Sequence, residues 1–252
     1  MILLFSGTGN SLHVANQLAD RLGDKIIRLP ANESSLSALN ERHIIWVFPV
    51  YSWGVPPVVL RWIRDLEIRG ADKIPHHVVM TCGDDIGYAD RMWRKAIVQR
   101  GWKTAGAYSV QMPNTYVLMK GFDVDSGQLA AEKIKASAPR CNEIVNKIEA
   151  DKDKVVTDVV SGGFAWLKTK VVYPYFVRFE MSPKPFHSTD ACVGCGVCAR
   201  TCPMNNIEIG NGRPQWGSTC ALCLGCYHAC PHHAVAYGKA TFRKGQKDIL
   251  TK

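Results

Sequence analysis

Eight of the ten cysteines fall between positions 192 and 230, in two runs of identical spacing. Cys192-Val-Gly-Cys195-Gly-Val-Cys198-Ala-Arg-Thr-Cys202-Pro203 is followed 28 residues later by Cys220-Ala-Leu-Cys223-Leu-Gly-Cys226-Tyr-His-Ala-Cys230-Pro231. All four cysteines and the proline keep that one period, which marks two copies of a single supersecondary unit. Three cysteines spaced three apart in a tight loop wrap one cube of iron and sulfide, while the fourth, turned away by the proline, points toward the other cube. On that logic cluster I takes Cys192, Cys195, Cys198 and Cys230, and cluster II takes Cys220, Cys223, Cys226 and Cys202. Gly194, Gly196, Ala221 and Gly225 between the ligands let backbone N–H groups approach the sulfurs. A pair of zinc sites would leave the third cysteine of each run and the Cys-Pro ending unexplained.

A second constellation lies at the amino terminus. Ser6-Gly7-Thr8-Gly9-Asn10-Ser11 sits between an apolar run and a helical pattern, where backbone N–H groups and the positive end of a helix dipole meet an anion. The dinucleotide fingerprint fails because position 12 is Leu12, and no GK[ST] follows for a nucleotide-binding P-loop. No Lys or Arg precedes Arg21, so the loop suits one small phosphate monoester held by neutral donors, such as that of FMN.

The cysteine runs resemble the bacterial two-cluster 4Fe-4S ferredoxin, matched at every ligand. The glycine-rich loop resembles that of flavodoxin, and the likeness continues in Phe48-Pro49-Val50-Tyr51-Ser52-Trp53-Gly54 and Thr81-Cys82-Gly83-Asp84-Asp85-Ile86-Gly87-Tyr88. The resemblance implies flavin contacts from Pro49, Tyr51, Ser52, Trp53 and Gly54 and from Cys82, Gly83, Asp84 and Tyr88. It also implies an isoalloxazine held between two rings: Tyr88 on one face, and Trp53 or Tyr51 on the other. Asp84, Asp85 and Asp90 would make its surroundings acidic, against Arg91 and Arg94.

Positioning these loops takes alternating strands and helices. Strands are expected at residues 2–6, 25–29, 43–50, 77–81 and 104–111, with helices after the first strand and at about 57–66, 89–100 and 127–149. The last of these carries Ile134, Ala138, Cys141, Val145 and Ile148 on one stripe. This order implies an α/β fold with a doubly wound, parallel five-stranded sheet and ligands at the carboxyl ends of its strands, and the resemblances imply that this sheet is flavodoxin-like and is followed by a small α+β two-cluster ferredoxin domain.

The expected boundaries are 1–150 for the FMN-binding domain, 151–187 for an aromatic-rich connector, 188–238 for the ferredoxin domain and 239–252 for a basic tail. The charged stretch Asp151-Lys152-Asp153-Lys154 opens the connector, which holds Phe164, Trp166, Tyr173, Tyr175, Phe176, Phe179 and Phe186. The connector reads first as a segment packed between domains. A membrane-surface helix and a flavin lid are the other readings.

The 252 residues, 46% hydrophobic and 21% charged, exclude wholesale disorder and collagen-like repetition and leave room for two domains. Clustered cysteines argue against a secreted disulfide scaffold, and the start MILLFSGTGNS lacks a basic n-region. Lys168 and Lys170 interrupt the longest apolar candidate, so no transmembrane segment is expected, and the expected location is a reducing cytoplasm. The net charge of +9 divides into +3 over residues 1–150 and +6 beyond, much of it in the tail. That distribution does not suit a nucleic-acid groove, and two clusters plus FMN would lower it to about +3.

Flavodoxin-like domain followed by two-cluster ferredoxin is the order of the EFR-type ferrodoxin family, which the chain resembles over nearly its whole length and whose members occur mainly in anaerobes. The resemblance implies a converter between one-electron and two-electron chemistry. It would act either as a reductase of a small acceptor or as a carrier docking on redox protein partners. No catalytic acid stands out. His76 and His77 lie at the wrong end of their strand and, like His228, His232 and His233, read as surface residues. Cys82 and Cys141 read as small buried hydrophobes.

Overall fold

Apolar runs alternate with amphipathic turns through the first part of the chain, and the result is a parallel sheet covered on both faces. The computed structural model describes residues 1–30, 35–150 and 154–248. Its central sheet contains β1 (Ile2–Leu4), β2 (Ile26–Arg28), β3 (Ile44–Pro49), β4 (Pro75–Cys82), β5 (Lys103–Gln111) and β6 (Val156–Asp158), in the spatial order β2-β1-β3-β4-β5-β6. Every neighbouring pair is parallel. The winding direction reverses between β1 and β3, and ligands of such sheets bind outside the carboxyl ends of the strands at that switch.

The sheet therefore has six strands rather than five. The sixth lies inside the expected connector and is too short for a readable period. It pairs with Gly106–Tyr108 of β5, and Arg140 and Lys147 grip Asp158 at 2.8 and 2.6 Å.

Four helices cover the sheet: α1 (Asn10–Leu22), α2 (Pro57–Asp65), α3 (Ala89–Gln99) and α4 (Gly127–Ala150). Alternation along β3 divides the core. Trp46 and Phe48 join one cluster with α2 and α3, while Ile45 and Val47 join the other with α1 and α4. The buried stripe of α4 is Ser137, Cys141, Ile144, Val145 and Ile148, so Ala138 falls to one side of it. A small parallel pair, Ser35–Ser37 with Glu67–Arg69, stands apart from the main sheet.

The cysteine-rich part contains two antiparallel pairs, Phe186–Ser188 with Val235–Tyr237 and Ile207–Gly210 with Arg213–Trp216, and two short helices, Val197–Thr201 and Gly225–His228. The 28-residue repeat is written into its backbone. Gly194 and Leu222, Gly196 and Leu224, and Asn205 and His233 are equivalent pairs, and all six residues have left-handed φ between 48° and 72°. Leucine in that region costs on the order of 1 kcal/mol. Both leucines are buried in the core of this part of the chain, which offsets the cost.

Between the two parts runs one helical segment over 165–180, in which α turns (Ala165–Leu167, Tyr173–Tyr175) alternate with π turns (Lys168–Val172, Phe176–Glu180). Among the described residues no helix is long and apolar enough to cross a membrane. The boundary expected at 150/151 and the last four residues of the expected tail lie outside the described residues.

Candidate functional site

Each cysteine run is a loop that feeds a short helix, with its fourth cysteine after the helix. Cys192, Cys195, Cys198 and Cys230 border one space of about 340 Å3 that opens to solvent, together with Gly194, Gly196 and Pro214. Cys230 thus joins the first run, across the repeat. Burial and then the charges of Cys230 and Cys192 push the Cys198 thiol up. In the second set burial pushes Cys220, Cys223 and Cys226 up, Cys223 to about 12, and the charge of Cys202 adds to each shift.

Gathering buried thiols this way disfavours the bare thiolates, and a cation-rich iron–sulfide cube relieves that cost. Backbone N–H groups are already aimed at the sulfurs. Asn206 N donates to Cys202 Sγ at 3.4 Å, and its repeat equivalent Ala234 N donates to Cys230 Sγ at 3.3 Å. Leu222 N donates to Cys220 Sγ at 3.3 Å, as its left-handed backbone permits.

A second space, of about 460 Å3, opens outside the carboxyl ends of β1, β3, β4 and β5. It brings together Ser6, Gly7, Thr8, Asn10 and Ser11 from the first loop, Pro49 from the second, and Cys82 and Gly83 from the third. Gly9 caps α1 with left-handed φ of 87° and no side chain, so it offers no capping group to the first helical N–H groups. Ser6 Oγ accepts from Leu12 N at 3.3 Å, and Ser11 Oγ lies 2.7 Å from Thr81 Oγ1. Hydroxyls and amides thus surround an open space where an anion would meet a helix amino terminus.

The other expected contacts do not line this cleft. Tyr51-Ser52-Trp53-Gly54 forms a tight reversed turn closed by two backbone bonds of 2.9 Å, with left-handed φ at Ser52 and Trp53. The segment over 165–180 clamps it: Thr169 Oγ1 donates to Trp53 O at 2.7 Å, Tyr173 Oη donates to Val55 O at 2.6 Å, and the Tyr173 ring lies on Gly54. Lys168 Nζ stands 5.1 Å from the Trp53 ring and the Arg91 guanidinium 3.6 Å from the Tyr88 ring. Tyr51 is drawn inward beside Cys223, where burial and then the charges of Cys223 and Cys220 push its phenol well up. The acidic field is also muted. Asp85 pairs with Lys168 at 2.6 Å, exposed Asp84 faces Lys133 at 3.8 Å, and burial pushes the Asp90 carboxyl up.

A fourth loop completes the cleft. Pro113, Asn114, Thr115 and Tyr116 follow β5 and line it, tied to the first loop by Asn10 Nδ2 donating to Pro113 O at 2.8 Å. Sequence reading missed this loop; the signal available was its place after a strand of the same sheet.

Described residues of the basic tail also reach the site. Gln246 Nε2 donates to Tyr227 O at 2.8 Å, Lys247 N donates to His228 Nδ1 at 3.1 Å, and Lys247 Nζ donates to Asn10 Oδ1 at 3.1 Å. His228 is buried and its Nε2 lies 2.8 Å from Thr115 O. His76 and His77 are likewise buried rather than surface residues, whereas His232 and His233 are exposed.

The two halves of the site touch. A Cβ built on Gly7 would lie 2.5 Å from Cys223 Cβ and 2.9 Å from Cys223 Sγ, and one on Gly225 would lie 2.7 Å from Gly7 O. The second cysteine run is therefore seated on the glycine-rich loop, while Cys195 of the first run is exposed.

Among solved structures, the Trp repressor binding protein from Bacillus subtilis is similar at 12% identity and a TM-score of 0.39, over 60% of this chain and 99% of that chain. No curated protein sequence matches significantly. A family model described as "4Fe-4S binding domain" matches residues 185–208, which hold Cys192, Cys195, Cys198 and Cys202. The chain thus carries a ferredoxin-like 4Fe-4S region with a role in iron–sulfur electron transfer and at least one cluster.

Proposed function

We propose that the chain is an iron–sulfur flavoprotein that holds two 4Fe-4S clusters and one FMN and converts between one-electron and two-electron chemistry as a reductase of a small acceptor. When bound, the clusters supply single-electron transfer and the flavin supplies a centre that can hold one or two electrons. Cys192, Cys195, Cys198 and Cys230 hold cluster I, and Cys220, Cys223, Cys226 and Cys202 hold cluster II. Ser6, Thr8, Asn10 and Ser11 hold the FMN phosphate, with Pro49, Cys82, Gly83 and Tyr116 bordering the rest of the cofactor. The donor set suits these groups: hydroxyls and amides around an open cleft, and two sets of four thiols of which Cys198, Cys226 and Cys230 are buried.

The observation that carries this reading is the seat of Cys223 on Gly7, which puts the second cysteine run beside the cleft and leaves the first facing solvent. Cys192, Cys195, Cys198 and Cys230 would hold the cluster nearer solvent and Cys220, Cys223, Cys226 and Cys202 the one nearer the cleft, each of which would supply single-electron transfer. A carrier that docks on redox proteins is the second reading, favoured by the exposure of Cys195 and Val193 at the rim of cluster I.

The test is a titration of cluster-loaded, flavin-free protein with FMN and with riboflavin, followed by flavin fluorescence. FMN binds one per chain and riboflavin at least about tenfold more weakly, since it lacks the phosphate. Failure of FMN to bind would overturn the flavoprotein reading.

A further inference from the structure

We propose that the outer face of the helical segment over 165–180 binds the surface of an anionic lipid bilayer, holding the protein to one leaflet without crossing it. Alternating α and π turns average close to four residues per turn, so residues four apart stay on one face instead of drifting round the axis. Ala165, Thr169 and Tyr173 form the buried row. Leu167, Val171, Tyr175 and Phe179 form an outward row, with the Tyr175 and Phe179 rings 5.0 Å apart.

Phe164 and Trp166 extend this face at its amino-terminal end and are 85% and 61% exposed; Phe179 at the other end is 65% exposed. A large apolar row turned to water is costly unless something covers it.

Charge selects the occupant. Lys170 and Arg178 flank the row, both exposed and neither in an ion pair among the described residues. Residues 159–189 hold Lys168, Lys170, Arg178 and Lys184 against Glu180 alone. A second copy of the chain on this face would bring like charges together. An anionic bilayer instead accepts aromatic and aliphatic side chains below its headgroups and cationic ones among them. The face needs no rearrangement, because its inner side is already fixed to the loop at 51–55 and to Tyr88 N, which donates to Thr169 Oγ1 at 2.8 Å.

The test is co-sedimentation of the full-length, cluster-loaded protein with vesicles of phosphatidylcholine alone and of phosphatidylcholine mixed with phosphatidylserine. The protein binds the mixed vesicles, and more weakly those without phosphatidylserine. Trp166→Ser with Phe179→Ser lowers binding at least about tenfold while the visible cluster spectrum is unchanged. Lys170→Gln with Arg178→Gln removes the dependence on phosphatidylserine. Absence of wild-type binding, or equal binding by the Trp166/Phe179 variant, would overturn the proposal. So would a wild-type dimer that this variant converts to monomer, which would make the face an interface between copies.

Discussion

The backbone of Gly7 lies directly against Cys223, with room for a hydrogen at Gly7 and none for a methyl. The loop that begins the chain's first helix and the loop of the second cysteine run are thereby one packed unit. Gly7→Ala would meet the Cys223 backbone and side chain, which a rotamer change cannot relieve. We expect a loss of about 1 to 3 kcal/mol in stability and damage to cluster II before cluster I. Denaturant unfolding and low-temperature electron paramagnetic resonance check both; a variant as stable as wild type with both signals intact would contradict the contact.

Crossed ligation makes its own prediction. Cys202→Ser should damage the cluster bound by Cys220, Cys223 and Cys226, and Cys230→Ser the one bound by Cys192, Cys195 and Cys198. The placement of Cys230 around the first space, and of Cys202 beside the second set, leads to this pairing. Resonance spectra of the two variants read it out, and the opposite losses would contradict it.

The aromatic contacts to the proposed FMN can be separated by substitution. Tyr116 lines the cleft, whereas the Tyr88 ring is covered by Arg91. Tyr116→Ala should lower FMN affinity at least about tenfold, and more than Tyr88→Ala does. A larger loss for Tyr88→Ala would restore the ring pair that the flavodoxin resemblance implies.

Acid stability is set in part by two buried histidines at the start of β4. Burial lowers His76 from 6.5 to about 4 and His77 to about 3. Trp46 Nε1 donates to His76 Nδ1 at 3.2 Å, which requires the neutral ring. The folded values are depressed, so stability is full above pH 6.5 and is lost as pH falls through the folded values. For His76 alone the loss is roughly 3 kcal/mol. Unfolding midpoints measured from neutral to acidic pH should fall across this window, and His77→Phe should flatten the fall. An unchanged slope in that variant would contradict the assignment.

Much of the architecture was legible because period and spacing carry it. Five strands, four helices and the repeat at 28 residues follow from apolar patterning and cysteine positions. What stayed illegible depends on contacts between distant segments. The Val156–Asp158 strand exists through β5 and Asp158's two cationic partners. His76, His77 and His228 are buried by neighbours that no local pattern names. Three of the connector's seven aromatics, Tyr173, Phe176 and Phe186, are buried and the other four are exposed, because α and π turns alternate in a way that a 3.6-residue period does not anticipate. In the cleft, residues from three loops were legible, but the loop at 113–116 and Lys247 reach it only through folding.

The central claim is the cofactor content, and it is tested most directly by iron, acid-labile sulfide and extracted flavin per chain on anaerobically purified protein. Two cubanes and one FMN require about eight iron, about eight sulfide and about one flavin. About four iron, or full clusters with no flavin, would contradict the account.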